Sequence, residues 1–245
     1  MIGIEICAGS IKSALAAQQG GAYRVELCDN LKEGGTTPSY GMLLLARKNL
    51  SIKLFPIIRP RGGDFLYSDL EFEVMKTDII QCRELSCDGV VFGILKKNGQ
   101  IDVERCLELK QAAGNMDTTF HRAFDRCKNP FQALEEIIEM GFERILTSGQ
   151  ENTAIKGASM IAKLIKKANG RISIMPGAGI RPDNLQELIQ LTGATEYHTS
   201  AKNMVKSEML FTEVRTGNYD DEFLTEQTDV EMVKQLVEIA GKNSD

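Results

Sequence analysis

Ile2-Gly3-Ile4-Glu5-Ile6-Cys7, then Ser10 and a helical stretch closed by Gly20-Gly21, then Tyr23-Arg24-Val25-Glu26-Leu27-Cys28: this opening passage decides how the chain is read. Alternating isoleucines put one apolar face on the first run, the period of a β-strand. Ser10 is a residue type that caps a helix start, and Gly20-Gly21 ends a helix in the usual left-handed way. Two short strands joined through a helix form a parallel βαβ unit. The same rhythm continues outward, with β-rich runs at 52–58, 89–93, 118–121, 144–147, 172–175 and 195–198. Amphipathic helical stretches lie between them, such as Phe131, Leu134, Ile137, Ile138 and Ile161, Leu164, Ile165. Eight units of roughly 30 residues predict a (β/α)8 TIM barrel. A doubly wound open sheet is the alternative, but it rarely needs eight units in strict alternation.

Punctuation refines the prediction. Pro38 suits the first turn of the second helix, Asn129-Pro130 opens the fifth and Gly141 closes it, and Asp183 is placed to cap the seventh. No linker or composition shift divides the chain, so residues 1–245 are expected to form one domain. One stretch breaks the rhythm: 199–228 reads as a long polar loop before a last helix at 230–240, the usual form of a lid, an insertion or an oligomer contact.

The 245 residues are 42% hydrophobic and 26% charged, which fits a packed globular core and excludes disorder and low complexity. With 29 basic against 34 acidic residues the net charge is −5, so nothing attracts the chain generally to nucleic acid or to an anionic membrane. No window approaches the ~20 apolar residues of a membrane span, and no basic n-region precedes the first strand. The six cysteines include no C-x-x-C pair, so free thiols in a reducing cytoplasm are expected.

In a barrel of this type chemistry sits at the C-terminal ends of the strands. If the isoleucine face of the first strand and Val25 and Leu27 of the second meet the helices, then Glu5, Cys7, Glu26 and Cys28 turn inward. Cys7 and Cys28 should then end at similar height on neighbouring strands about 4.8 Å apart. Such a pair fits inert packing, a disulfide, or a soft ion such as Cu(I). It falls short of the four ligands a zinc site wants. Cys82, Cys87, Cys106 and Cys127 fall on helices or their edges and read as packing.

Arg59-Pro60-Arg61-Gly62-Gly63 follows the third strand and forms a compact cationic loop, fit to bind carboxylate or phosphate or to neutralise Glu5 and Glu26. Both histidines of the chain, His121 and His198, close strands. With Glu5 and Glu26 they are the candidate acid and base groups. Gly177-Ala178-Gly179 precedes a helix and suits an anion, as does the hydroxyl-bearing turn Thr147-Ser148-Gly149. No P-loop lysine pattern points to ATP.

Taken together, several runs resemble the CutC family, described as copper homeostasis proteins. They are Glu5-Ile6-Cys7, Arg24-Val25-Glu26-Leu27-Cys28, Glu33-Gly34-Gly35-Thr36-Thr37-Pro38-Ser39, Ile58-Arg59-Pro60-Arg61-Gly62-Gly63-Asp64-Phe65-Leu66-Tyr67-Ser68, Thr119-Phe120-His121-Arg122-Ala123-Phe124-Asp125, Met175-Pro176-Gly177-Ala178-Gly179 and Thr195-Glu196-Tyr197-His198. The resemblance spans residues 1 to about 201. It implies a (β/α)8 barrel, a cytoplasmic protein, a homodimer or larger homo-oligomer, and copper handling with Cu(I) held by cysteines. Cys7 and Cys28 match the family's motif positions, whereas Ala178 stands where relatives commonly carry glycine.

Two expectations follow. The first is a copper-binding protein with Cu(I) on Cys7 and Cys28. The second is an enzyme acting on a small anionic or phosphorylated metabolite, held by Arg59, Arg61, Gly177 and Gly179 and worked on by Glu5, Glu26, His121 or His198.

Overall fold

The computed structural model describes residues 2–211 and 223–243. Eight parallel strands follow the expected order: β1 Gly3–Ala8, β2 Arg24–Leu27, β3 Lys53–Pro56, β4 Gly89–Phe92, β5 Asp117–Phe120, β6 Arg144–Thr147, β7 Ser173–Pro176 and β8 Glu196–Thr199. They hydrogen-bond as two four-stranded arcs, β3-β2-β1-β8 and β4-β5-β6-β7. Parallel bridges between Ile57 and Val91 and between Gly177 and His198 join the arcs at both seams. The result is a (β/α)8 barrel with short staves, most of them four residues long.

Helices α1 Ile11–Gln19, α2 Tyr40–Asn49, α3 Asp69–Glu84, α4 Val103–Ala113, α5 Pro130–Glu139, α6 Ala158–Ala168, α7 Pro182–Thr192 and α8 Val230–Lys242 connect them. Ser10 caps α1 as expected, its Oγ accepting from Ser13 N at 3.1 Å. Asn129 caps α5, with Pro130 at its first position. Two boundaries differ from the sequence reading. Ser39 caps α2, its Oγ accepting from Met42 N, so Pro38 lies outside the first turn. Pro182 begins α7, which leaves Asp183 inside the first turn rather than at the cap.

The main core lies between strands and helices, where Ile4, Ile6, Val25 and Leu27 are fully buried. The barrel interior is a different environment. Its floor is a charged layer: Arg24 pairs with Glu5 and Glu196, and Arg144 with Glu196 at 2.9 Å. The Phe55 ring lies against both guanidinium groups, at 4.9 and 5.2 Å, an arrangement that favours a desolvated cation. Gly89 makes room for that ring, since a Cβ there would lie 2.5 Å from Phe55 and 2.7 Å from the Asp117 carbonyl. Glycine is the residue that fits such an approach.

The segment 199–228 is not loop throughout. β9 Lys202–Lys206 and β10 Leu224–Thr228 pair as an antiparallel ribbon, and residues 212–222 lie outside the described residues. The ribbon escaped the sequence reading because every residue of β9 is exposed, so no core-facing alternation marks it. It returns the chain to the barrel, where Thr228 N donates to Ser13 Oγ and Asp229 caps α8. Among the described residues no helix is long and apolar enough to cross a membrane. At the C-terminal end of the strands a cavity of about 470 Å³ opens.

Candidate metal centre at the barrel mouth

The register of β1 and β2 sets Cys7 opposite Glu26. Cys28 follows β2, its N–H donating to Ala8 O at 2.9 Å. It therefore stands higher than Cys7, not level with it as the spacing suggested. Its side chain nevertheless brings the two sulfurs within 3.4 Å. Cys28 Sγ also lies 3.4 Å from Glu26 Oε2.

β8 supplies the third wall. Its register sets His198 beside Glu5, and His198 Nδ1 lies 2.6 Å from Glu5 Oε1. The other Glu5 oxygen accepts from Arg24 Nε. This leaves His198 Nε2 facing Glu26 Oε2 at 3.7 Å. A chain of contacts thus runs from the floor to the mouth: Arg24, Glu5, His198, and then Glu26 with the two thiols. Donor atoms of Cys7, Glu26 and His198 all lie within 4.8 Å of one another.

Charge follows from this layout. Burial resists ionisation of Glu5, but Arg24 and His198 together hold its carboxyl well below the usual range. Burial also opposes a charged His198, yet Glu26, Cys7 and Glu5 raise it well above its ordinary value. The hydrogen bond from the Cys28 thiol, helped by His198 against the burial penalty, brings Cys7 down to about 5. Burial and the neighbouring Cys7 push Cys28 up, and the same two causes push Glu26 up. The thiolate is favoured on Cys7, beside the His198 imidazole, and thiolate is the form that ligates metal.

The remaining candidates occupy other walls. His121 ends β5, and its Nδ1 accepts from Ala123 N at 3.3 Å. Its ring packs on Phe65 at 4.8 Å, and its Nε2 is buried without a partner. Burial and the Arg59 charge lower it to about 3, so it is neutral. Arg59 lines the cavity but does not reach Glu5 or Glu26. Its guanidinium donates to the carbonyls of Glu33, Gly35 and Gly63, fastening two loops together. Arg61 is tied on the rim by Glu71 at 2.6 Å and Asp64 at 3.0 Å. The cation that neutralises Glu5 is Arg24. The sequence carried that signal, since Arg24 shares the inward face of β2 with Glu26.

Gly177 bridges to His198, and Gly179 borders the cavity. Between them Ala178 adopts φ +83°, the left-handed region that favours glycine. Arg122, Arg181 and Lys202 also line the cavity; the last two were missed because they sit beyond the strand ends. The Thr147-Ser148 turn is already occupied, with Asp125 accepting from both Ser148 N and Ser148 Oγ. Cys82, Cys87, Cys106 and Cys127 are buried and serve packing.

The CutC family model matches residues 2–203. A family protein CutC of Chromobacterium violaceum is 50% identical over 242 residues, covering 98% of each chain. The human copper homeostasis protein cutC homolog is 46% identical, covering 97% of this chain and 88% of that one. The crystal structure of a CutC protein from Streptococcus agalactiae matches with a TM-score of 0.78 at 39% identity, covering 82% of this chain and 99% of that one. Phosphoribosylanthranilate isomerase from Thermotoga maritima, at TM-score 0.60 and 14% identity over 99% of this chain and 100% of its own, is similar in fold alone. With a family model spanning most of its length and relatives near half identity, the chain belongs to the CutC family.

Proposed function

We propose that this chain binds Cu(I) at the barrel mouth through Cys7 and Cys28 and handles copper in the cytoplasm. The observation that carries the reading is the pair of sulfurs 3.4 Å apart, with Cys7 bordering an open cavity. Thiolates are the ligands that select Cu(I) over harder ions. The His198 imidazolium beside Cys7 favours the thiolate, and Glu5 keeps that imidazolium in place. The human and mouse relatives are named copper homeostasis protein cutC homologs, which supports the same cargo here. An anaerobic Cu(I) competition titration against a chromogenic chelator tests it. Wild type should take about one ion per chain, and Cys7→Ser/Cys28→Ser should take none; equal uptake by both would overturn the reading.

We also infer assembly into a homodimer or larger homo-oligomer through the ribbon and the residues that follow β9, where Met204, Met209, Leu210 and Phe211 are exposed. Sedimentation of wild type against Leu210→Asp/Phe211→Asp tests this, and a monomeric wild type refutes it.

One observation favours a second reading, a small anionic metabolite in the same cavity. Arg59, Arg122, Arg181 and Lys202 line it against one acidic residue, Glu26. A phosphate-bearing ligand should then raise Tm by mass action, and Arg181→Ala should reduce the shift. No shift with any phosphorylated compound tried would remove this reading.

A further inference from the structure

The two thiols account for only half of the donors that meet at the mouth. Cys7, Glu26 and His198 offer a sulfur, an oxygen and a nitrogen within 4.8 Å of one another, and Cys28 adds a second sulfur beside Cys7 and Glu26. Three of their separations can be set beside the edges of a tetrahedron. Metal–donor lengths near 2.3 Å for sulfur, 2.05 Å for imidazole and 2.1 Å for carboxylate give edges of about 3.8 Å for S···S, 3.6 Å for S···O and 3.4 Å for N···O. The corresponding separations are 3.4 Å for Cys7–Cys28, 3.4 Å for Cys28–Glu26 and 3.7 Å for Glu26–His198. Each differs from the ideal by at most about 0.4 Å.

A second feature points the same way. Ligating histidines usually donate their other ring N–H to a carboxylate, which fixes the ring and makes it a better ligand. His198 does this with Glu5 at 2.6 Å, and Glu5 is held by a fully buried Arg24. This buried support holds Nδ1 on Glu5 and aims Nε2 at Glu26 and Cys7, where a metal ion would take the place of its proton. A pair of cysteines serving only as packing would have no use for it.

We propose that the barrel mouth binds a borderline divalent cation of the zinc type on Cys7, Glu26 and His198, with its fourth position open to the cavity and Glu5 as the positioning residue behind His198. The inference rests on the same thiol pair as the copper reading but not on the same ion. Cu(I) takes the two sulfurs, whereas the divalent cation takes Cys7, Glu26 and His198, so the two ions compete for Cys7 and respond differently to substitution.

The test uses the reduced, metal-free protein. Zn(II) is titrated against a chromogenic chelator in wild type, His198→Gln and Glu5→Gln, with Cu(I) titrated in parallel, and Co(II) is added to wild type as a spectroscopic probe. Wild type should bind one Zn(II), and Co(II) should show strong tetrahedral bands with sulfur-to-metal charge transfer. Each substitution should weaken Zn(II) about 10–100-fold, and by more than it weakens Cu(I), which His198 and Glu5 serve only by favouring the Cys7 thiolate. Cu(I) uptake without Zn(II) uptake overturns this inference and leaves the copper reading standing. Zn(II) uptake that depends on His198, without Cu(I) uptake, supports this inference and overturns the copper reading. If His198→Gln does not fold, the wild-type Co(II) spectrum decides: weak octahedral bands without charge transfer overturn the proposal.

Discussion

Replacing Arg24 with leucine probes the support beneath the site. Arg24 and Glu5 are each about 1% exposed, so the substitution strands a carboxylate inside the barrel with His198 as its remaining partner. Removing one member of a buried ion pair costs about 3–5 kcal/mol, mostly because the other charge is left uncompensated. Total stabilities are only about 5–15 kcal/mol. For a chain of this size the loss corresponds to a Tm drop of roughly 6–20 °C. Arg144 stays against the Phe55 ring at 5.2 Å, so the aromatic packing is only partly disturbed. The origin of the cost is separable. If it is stranded charge, Arg24→Leu/Glu5→Gln should lose less than Arg24→Leu alone, because a neutral amide needs no cation. Urea unfolding of wild type, both single variants and the double variant measures this. A loss below about 1 kcal/mol for Arg24→Leu would refute the reasoning, since that lies in the range of an exposed pair. A double variant equal to the sum of the singles would refute it as well.

Three further outcomes are expected. His121 is buried and neutral with its folded value lowered to about 3, so the unfolded chain binds the extra proton and stability falls as pH drops below 6.5; the His121 share is about 2 kcal/mol at pH 5. His121→Asn should flatten the wild-type slope between pH 7 and 5, and an unchanged slope would contradict the assignment. Ala178→Gly should stabilise the fold by about 0.5–1 kcal/mol in chemical denaturation, because φ +83° costs alanine more than glycine's extra chain entropy costs the folded state; a loss of stability would contradict this. Mild oxidation with a disulfide reagent should join Cys7 to Cys28, lower the thiol count in denaturant by two from six, and block Cu(I) uptake; an unchanged count would show that the pair is inert.

The barrel was legible because its signal is repetitive: eight short β-rich runs separated by helix-length stretches survive small errors at any one boundary. Inward placement of Glu5, Cys7, Glu26 and Cys28 was legible for the same reason, since alternation sorts side chains between two faces. Partner choice was not. Arg24 rather than Arg59 or Arg61 neutralises Glu5, because register sets Arg24 beside Glu5 while the Arg59 loop folds back on its own carbonyls. Convergence of His198 on the thiols depends on β8 closing against β1, a contact 193 residues apart in the chain. No local pattern encodes such a contact. The β9–β10 ribbon was hidden because β9 is exposed throughout and carries no burial period.

X-ray absorption at the copper edge, on protein loaded anaerobically with one equivalent of Cu(I), tests the central claim most directly. The account predicts a nearest shell made of two sulfurs, lost in Cys7→Ser/Cys28→Ser. A shell of nitrogen and oxygen alone, or a sulfur shell that survives the double substitution, would contradict it.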